Sequence, residues 1–494
     1  MNTTTPVKGK KICLRGFGQE QETEAKARLV RHGFELVASI TCADAVVVGS
    51  ENASLAVEAA RKARLPVTPW TEFISALENA AAPVPAVGLP RRAAIEIKPD
   101  SVRILDQELR RANVASPLVP AEEWFRHLCL DSCFLQNARA VAMGVRNGLP
   151  VMLEGETCTS KTIAIRWVAH LVGQPVLRVN LNGQSDTGEL VGRYVPGGAT
   201  QGDGCDSLFG QCESRNRNER AQPVPAGGYP RTEQWSKWEP PSENGPSASP
   251  SWRFREGCIP SALRRGYWVM LDELNLAEAQ VVERLNPVLE QPPSLVLTEG
   301  DGTVFGPGGT VPVAGGFHLF ATMNPAEYAG RSVLSPAFRD RWSVWHHADV
   351  PGEADFAAML NCLVFGEQPE FAFQGVLYYS PATKPVHPEL AAIEGIREVL
   401  PRLALFHASL CQASGMGGAA PSLGRIRRER YVFTRRTLLT CLNLLGRARV
   451  ENPDAPAGPQ IRQGIEDAYL GRISDRADRN AAVALLRAAG LSDR

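Results

Sequence analysis

The sequence predicts an α/β fold in which a parallel sheet with flanking helices is followed by a helical C-terminal region and preceded by a small α/β unit. The main observation is a set of three short apolar stretches that each end in polar residues, at 149–155, 267–273 and 316–324. Parallel strands end at one edge of their sheet, so these polar endings are expected to meet there. Upstream, at residues 10–77, strand-like and helix-like stretches alternate, as in a small parallel sheet.

The first apolar stretch leads into a loop and then into a helical stretch at residues 163–172. The connecting residues are, in order, Gly155, Glu156, Thr157, Cys158, Thr159, Ser160, Lys161 and Thr162. A strand, such a loop and a helix form the context of a phosphate-binding P-loop. Backbone N–H groups would hold the phosphates, Lys161 would reach the β- and γ-phosphates, and Thr162 would bind Mg²⁺. Ser160 stands where this pattern usually has glycine. A side chain at this position can restrict the backbone and lower nucleotide affinity.

The second apolar stretch ends in two adjacent acids, Asp272 and Glu273. One acid can hold a metal ion through water, and the next can polarise an attacking water. The third stretch ends in Asn324, whose amide can orient that water between Glu273 and the γ-phosphate. An acid at the end of a strand is weak evidence by itself, so the assignment depends on the P-loop upstream.

Arginines follow in two places. Arg339 and Arg341 lie among bulky apolar residues, and an arginine given to a neighbouring subunit's γ-phosphate is an arginine finger. A surface salt-bridge pair is the alternative. Arg435 and Arg436 end a basic stretch at residues 425–436, which is a lid helix surface or a nucleic-acid face.

The order P-loop, acidic strand, polar-ended strand and arginine pair resembles that of AAA+ ATPases. DELNLA at residues 272–277 and ATMNPAEYAGRSVLSPAFRDRW at residues 321–342 resemble the corresponding segments of the MoxR, midasin and dynein-related branch. The resemblance covers about residues 122–446. It implies an ATPase that converts ATP and water to ADP and phosphate with Mg²⁺, in a ring of subunits that is a hexamer.

The same resemblance implies roles for individual residues. Thr162 and Asp272 would be the metal ligands, and residues 155–162 would bind the nucleotide. It implies that Glu273 is the catalytic base, Asn324 is sensor 1 and Arg341 is the arginine finger. Arg339 would be the neighbour or alternate of that finger, and Arg436 would be sensor 2. Residues 188–196 resemble a helix 2 insert, and residues 295–313 are expected to form a hairpin; both would face substrate or a partner.

The N-terminal unit resembles a BRCT domain through RGFG at residues 15–18, HGF at 32–34, ADAVVVG at 43–49 and ARLPVTPWTEF at 63–73. The resemblance implies recruitment of a client or partner complex. Arg15 precedes the first-loop glycine where phosphopeptide-binding members have Ser or Thr, so phosphoserine binding is not implied. A generic α/β docking module is the alternative.

These elements predict four regions. They are the BRCT-like domain at 1–80, a Pro-rich linker at 81–120, the large α/β subdomain at 121–350 with an irregular insert at 197–251, and the helical lid with a C-terminal extension at 351–494. Lys+Arg and Asp+Glu are 53 each, so net charge does not favour nucleic acid. The eleven cysteines fit no zinc spacing, and free thiols in the cytoplasm are expected. No apolar run or signal peptide indicates a membrane.

Three functions remain open from the sequence. The first is an ATP-driven remodelling ring that acts on a protein or nucleoprotein client, which the family resemblance suggests could carry a von Willebrand A domain. The second is a nucleotide-gated binding module with little turnover, which Ser160 favours. The third is a DNA-associated ATPase in repair or defence.

Overall fold

The computed structural model contains two compact units, Met1–Pro90 and Arg91–Arg494. The residues that it describes are 11–15, 35–36, 45–49, 67–69, 89–196, 252–325, 333–416, 421–424 and 431–491.

The first unit contains a four-stranded parallel sheet. Its strands are β1 (Lys11–Arg15), β2 (Glu35–Leu36), β3 (Ala45–Val48) and β4 (Val67–Pro69). They are arranged in the order β2-β1-β3-β4 and all pair in parallel. Ile12, Cys13 and Leu14 of β1 are buried, which explains why this apolar run forms a central strand. The helices predicted at 23–32, 54–63 and 72–77 lie outside the described residues.

The second unit begins with four short strands where the sequence predicts a linker. They are β5 (Arg91–Ala93), β6 (Ile95–Ile97), β7 (Ser101–Ile104) and β8 (Gln107–Arg110). Strands β6 to β8 form an antiparallel meander. Val102, Ile104 and Leu109 are buried because they alternate with charged residues that face solvent. The prolines at both ends of residues 81–120 hide this alternation, so the linker prediction fails for residues 91–110.

A five-stranded parallel sheet forms the centre of the second unit, as predicted. Its strands are β9 (Val151–Glu154), β10 (Val176–Asn180), β13 (Trp268–Asp272), β16 (His318–Met323) and β17 (Val344–His347). The strand order is β10-β13-β16-β9-β17. Two long helices, α1 (Ser132–Asn147) and α2 (Lys161–Val172), pack with one face of this sheet in a shared apolar core. This is the mixed α/β architecture, a parallel sheet with flanking helices, that the sequence predicts.

Short elements join these strands. The helices are α3 (Thr187–Leu190), α4 (Cys258–Arg265), α5 (Ala279–Glu283), α6 (Asn286–Leu289) and α7 (Pro336–Asp340). Strands β11 (Gly192–Pro196) and β12 (Trp252–Glu256) pair antiparallel on either side of the predicted insert at 197–251, which lies outside the described residues. Strands β14 (Leu295–Val296) and β15 (Val304–Phe305) form the hairpin that the glycine-rich turns predict.

The C-terminal region is mainly helical and has its own apolar core. Its helices are α8 (Glu353–Phe365), α9 (Pro388–Ala391), α10 (Ile396–Ala413), α11 (Arg435–Glu451), α12 (Ala457–Ala468) and α13 (Arg476–Ala488). The region also contains an unpredicted hairpin of β18 (Phe371–Phe373) and β19 (Val376–Tyr379). Strand β19 pairs in parallel with β5, so the start of the second unit is hydrogen-bonded to this region. Among the described helices, none has the length and apolar character required to span a bilayer.

Candidate active site

The ends of β9, β13 and β16 meet at one sheet edge, beside the N-terminal end of α11. Between them lies a cavity of about 380 Å³. It is lined mostly by residues 157–163, by the polar ends of the strands and by the first turn of α11. The structure therefore places the predicted P-loop, acidic strand and polar-ended strand around one cleft, whose size suits part of a nucleotide.

The P-loop has a fixed and partly strained backbone. A Cβ atom on Gly155 would lie 2.8 Å from the carbonyl oxygen of Ala348, so only glycine fits there. Cys158 and Ser160 have left-handed φ angles of 61° and 66°, which cost a non-glycine residue about 1–2 kcal/mol each. The Asn137 amide donates to the Thr159 carbonyl at 2.7 Å and ties the loop to α1.

Lys161 is buried at the centre of the cavity. Its Nζ donates to the carbonyls of Gly155 and Glu156 at 2.8 and 2.7 Å and to Asn324 Oδ1 at 3.0 Å. Burial lowers the pKa of Lys161 to about 8, against the opposing attraction of Glu273 and other nearby carboxylates. An anion at this position would remove that penalty, since it would stabilise the charged amine.

Asp272 is 5% exposed, and side chains of this chain contact both of its carboxylate oxygens. The hydroxyl of Thr162 donates to Oδ1 at 3.1 Å, and the Thr322 hydroxyl makes a shorter bond to the same atom. Arg178 donates to Oδ2 from Nε and Nη2 at 3.0 and 2.6 Å. Sequence reasoning missed Arg178. The available signal was its place two residues before the end of β10, on the same strand face as Asn180.

Glu273 has a left-handed φ of 58°, which turns its side chain away from the strand direction. The Asn324 amide nitrogen lies 3.1 Å from each of its carboxylate oxygens. Because the Asn324 oxygen accepts from Lys161, the orientation of this amide follows from its two partners. Asn275 donates to the Asn324 carbonyl at 2.8 Å and fixes its backbone. Asn324 thus joins the lysine of the P-loop to the acid after β13.

The lid contributes two arginines to the cavity lining, Arg435 and Arg436. The family resemblance implies a sensor role for Arg436, but Arg435 makes the described contacts. Its Nη1 donates to Ser160 Oγ at 3.0 Å, and its Nη2 lies 2.8 Å from Asp131 Oδ2. Burial opposes the charged form of Arg435, but Asp131 outweighs it and raises the arginine pKa. The interpretation of Arg435 as part of a solvated helix face is wrong, because its side chain is 10% exposed.

Arg339 and Arg341 do not line this cavity. Arg341 Nε lies 3.3 Å from Glu290 Oε1, and its Nη1 donates to the Ala337 carbonyl at 2.7 Å. Arg339 lies over the ring of Trp345, 4.8 Å from the centroid. Both arginines therefore belong to the surroundings of α7, away from the site formed by their own chain.

The residues present fit a magnesium nucleotide. A loop before the N-terminus of α2 offers backbone donors, and buried Lys161 offers a cation for phosphate. Thr162 and Asp272 already share a hydrogen bond, as expected for a hydroxyl and a carboxylate that hold one hard cation. Arg178 competes for one side of Asp272, so the fit leaves the Oδ1 side or a water-mediated contact for the metal.

Comparisons with known proteins identify part of this core. Residues 249–342 match the model of the family described as AAA domain (dynein-related subfamily). The chain is 28% identical over 222 residues to a midasin from Giardia intestinalis, and these residues are 45% of the chain and 3% of that protein. It is 29% identical over 237 residues to a midasin from Dictyostelium discoideum, which spans 48% of the chain and 3% of that protein.

A solved structure of a presumed ATPase from Cytophaga hutchinsonii is 13% identical, covers 73% of this chain and 90% of its own, and has a TM-score of 0.28. That score is too low to support an argument. The chain spans about 3% of the length of the curated relatives that it matches. Together, these matches show that part of this chain is similar to the dynein-related AAA domain and to midasins, and the matched part includes two strands of the parallel sheet at whose edge the cleft lies.

Proposed function

We propose that the chain hydrolyses ATP and uses the energy to remodel a protein or nucleoprotein client. The observation that supports this most directly is the position of Asn324 between Lys161 and Glu273. A phosphate-binding cation, an orienting amide and a candidate base thus form one hydrogen-bonded network across the cleft. Such a network is what phosphoryl transfer to water requires, since catalysis there is mostly positioning and charge stabilisation.

The proposed roles follow from these contacts. Lys161 binds phosphate oxygens, Asn324 positions the attacking water, and Glu273 accepts its proton. Thr162 and Asp272 hold Mg²⁺, which would neutralise phosphate charge and orient the β- and γ-oxygens when bound. The Asn324 amide nitrogen lies within hydrogen-bond distance of both carboxylate oxygens of Glu273, so Asn324 would help to orient this acid.

The test of this proposal is phosphate release from Mg·ATP by the full chain and by Lys161→Ala. Removing the buried ammonium should abolish nucleotide binding and turnover. Lys384→Ala, a change at an exposed lysine of the lid region, is the matched control and should behave as wild type. Equal turnover by Lys161→Ala and wild type would contradict the assignment of the site.

We further propose that Arg341 completes the site of a neighbouring subunit in a ring, which we take to be a hexamer. Its place outside its own cavity, held by Glu290, supports a role toward another chain. Arg341→Ala and Lys161→Ala should each be inactive alone and partly active when mixed. Mixtures without activity, or a chain that sediments only as a monomer with ATP, would count against the ring.

The N-terminal unit is proposed to be a BRCT-like domain that recruits the client. The all-parallel order β2-β1-β3-β4 supports a small α/β docking module. Proteins retained by immobilised Glu273→Gln chain can be compared with those retained by the same chain lacking residues 1–90. A client held only by the complete chain supports recruitment, and identical sets contradict it.

The described cysteines are free thiols, which supports a reducing compartment such as the cytoplasm.

The alternative of a nucleotide-gated module with little turnover is favoured by one observation. Arg178 occupies Oδ2 of Asp272, so the proposed metal ligand is already neutralised by this chain. Steady-state turnover with and without duplex DNA separates the candidates. Tight ADP binding without turnover supports the module, whereas turnover that rises with DNA in a salt-dependent manner supports a DNA-associated ATPase.

A further inference from the structure

Ser160 combines two features that the P-loop alone does not explain. Its φ of 66° lies in the left-handed region, where glycine would avoid the steric cost of a Cβ. Its hydroxyl is also the acceptor for Arg435 Nη1 at 3.0 Å, across the cleft from a helix of the lid. Glycine would relieve the strain but would offer no acceptor. The serine therefore makes a hydrogen bond with the lid at the cost of a strained backbone conformation.

The contact continues beyond Arg435. The guanidinium lies 2.8 Å from Asp131, whose other oxygen accepts from Phe134 N at 3.0 Å and so caps the N-terminus of α1. Asp131 is 1% exposed and Arg435 is 10% exposed at the side chain. A buried ion pair of this kind adds little net stability. Separating the two partners is nevertheless costly, because each charge would then be buried without a compensating partner. The guanidinium is thus held by the charge of Asp131 at the N-terminus of α1 as well as by the lid.

We propose that Ser160, Arg435 and Asp131 form a clasp that couples the P-loop to the lid, with Ser160 as its positioning residue. The clasp rests on the proposed function, because it acts through nucleotide bound in the same cavity. The clasp holds the Arg435 guanidinium at the loop that binds phosphate, so nucleotide binding and the position of α11 depend on each other. Arg436 lines the same cavity, but no described contact joins it to the loop.

The geometry explains why the acceptor has to be at position 160. This residue immediately precedes α2, whose first residue is Lys161, so any shift of its backbone moves the phosphate-binding lysine. A hydrogen bond to a charged donor is stronger than a neutral one and is further strengthened where water is excluded. Displacement of α11 would therefore be transmitted to Lys161 through the hydrogen bond of Arg435 to Ser160.

The test compares Ser160→Gly with Ser160→Asn in the full chain. Both residues tolerate left-handed φ, but only asparagine keeps a side-chain oxygen acceptor. We expect Ser160→Gly to bind Mg·ADP about tenfold more weakly than Ser160→Asn, as measured by isothermal titration. ADP should protect the first-turn amides of α11 from hydrogen exchange in wild type and Ser160→Asn, and not in Ser160→Gly.

A second pair of variants isolates the partner. In a background that removes both charges, Asp131→Asn with Arg435→Met, the difference between Gly and Asn at position 160 should vanish. Equal ADP affinity and equal α11 protection for Ser160→Gly and Ser160→Asn in the natural background would overturn the clasp while leaving the nucleotide site intact. If wild type itself does not bind Mg·ADP or Mg·ATP, the proposed function fails, and the clasp fails with it.

Discussion

The two sides of the cleft are held in different ways. At the sheet edge, polar side chains from neighbouring strands form a dense set of hydrogen bonds, in which Asp272 and Asn324 each contact several partners. On the lid side, the described link to the P-loop is the contact of Arg435 with Ser160, backed by Asp131. The geometry of the sheet edge is therefore constrained by several hydrogen bonds, whereas the described lid side contacts the P-loop through one. The proposed chemistry is therefore assigned to the first side and the proposed coupling to the second.

The largest effect is expected from Glu273→Gln at the sheet edge. Loss of a general base should lower turnover about a thousandfold, while nucleotide still binds because Lys161 is unchanged. Phosphate release and ADP titration measure the two separately. Glu278→Gln, the same change at an exposed acid close in sequence, is the control and should retain turnover. Wild-type turnover in Glu273→Gln would remove Glu273 from the mechanism.

On the lid side, Asp131→Ala should reduce stability by about 3–5 kcal/mol, because it leaves the Arg435 charge buried without its partner. Chemical denaturation of the chain measures the change. Glu466→Ala removes an exposed ion pair with Arg479, at 2.8 Å, from the lid and should cost less than about 1 kcal/mol. Equal effects of the two changes would show that the buried pair has no special role.

The lid core should also respond to pH through His407. Burial lowers the pKa of His407 to about 3, whereas an unfolded histidine titrates near 6.5. The unfolded chain thus binds a proton first, so this stability is present above about pH 6.5 and is lost as pH falls toward 3. Between pH 7 and 5 the loss should be about 2 kcal/mol. In His407→Gln, which does not titrate, the slope of unfolding free energy against pH should be smaller; an unchanged slope would refute this.

The smallest expected effect concerns Arg178, which sharpens the description of the sheet edge. Arg178→Gln removes a positive charge from Asp272, so the Mg²⁺ concentration for half-maximal nucleotide binding should fall about tenfold. Arg178→Lys keeps the charge and should remain close to wild type. Fluorescent-nucleotide titrations at fixed nucleotide and varied Mg²⁺ measure both. A higher Mg²⁺ requirement in Arg178→Gln would show that the guanidinium prepares Asp272 for the metal.

Local patterns predicted much of the core and of its candidate site. The apolar runs before Gly155, Asp272 and Asn324 predict strands, and parallel pairing brings their ends together. Arg178 escaped prediction because its partner is 94 residues away and its strand face depends on register. Strands β5 to β8 escaped because they are short and flanked by prolines, and their burial depends on helices α1 and α2.

The sequence by itself determined the order of the chemical groups: the P-loop, the two acids, the asparagine and the arginine pairs. These follow from local residue types, because strand, loop and helix signals lie within a few residues of each group. Only the tertiary structure decided which of two adjacent arginines contacts Ser160, since one residue along a helix turns a side chain by about 100°. It also decided that Asp131 holds that arginine, because a pairing of charges 304 positions apart in the chain depends on where the fold places the N-terminal ends of α11 and α1.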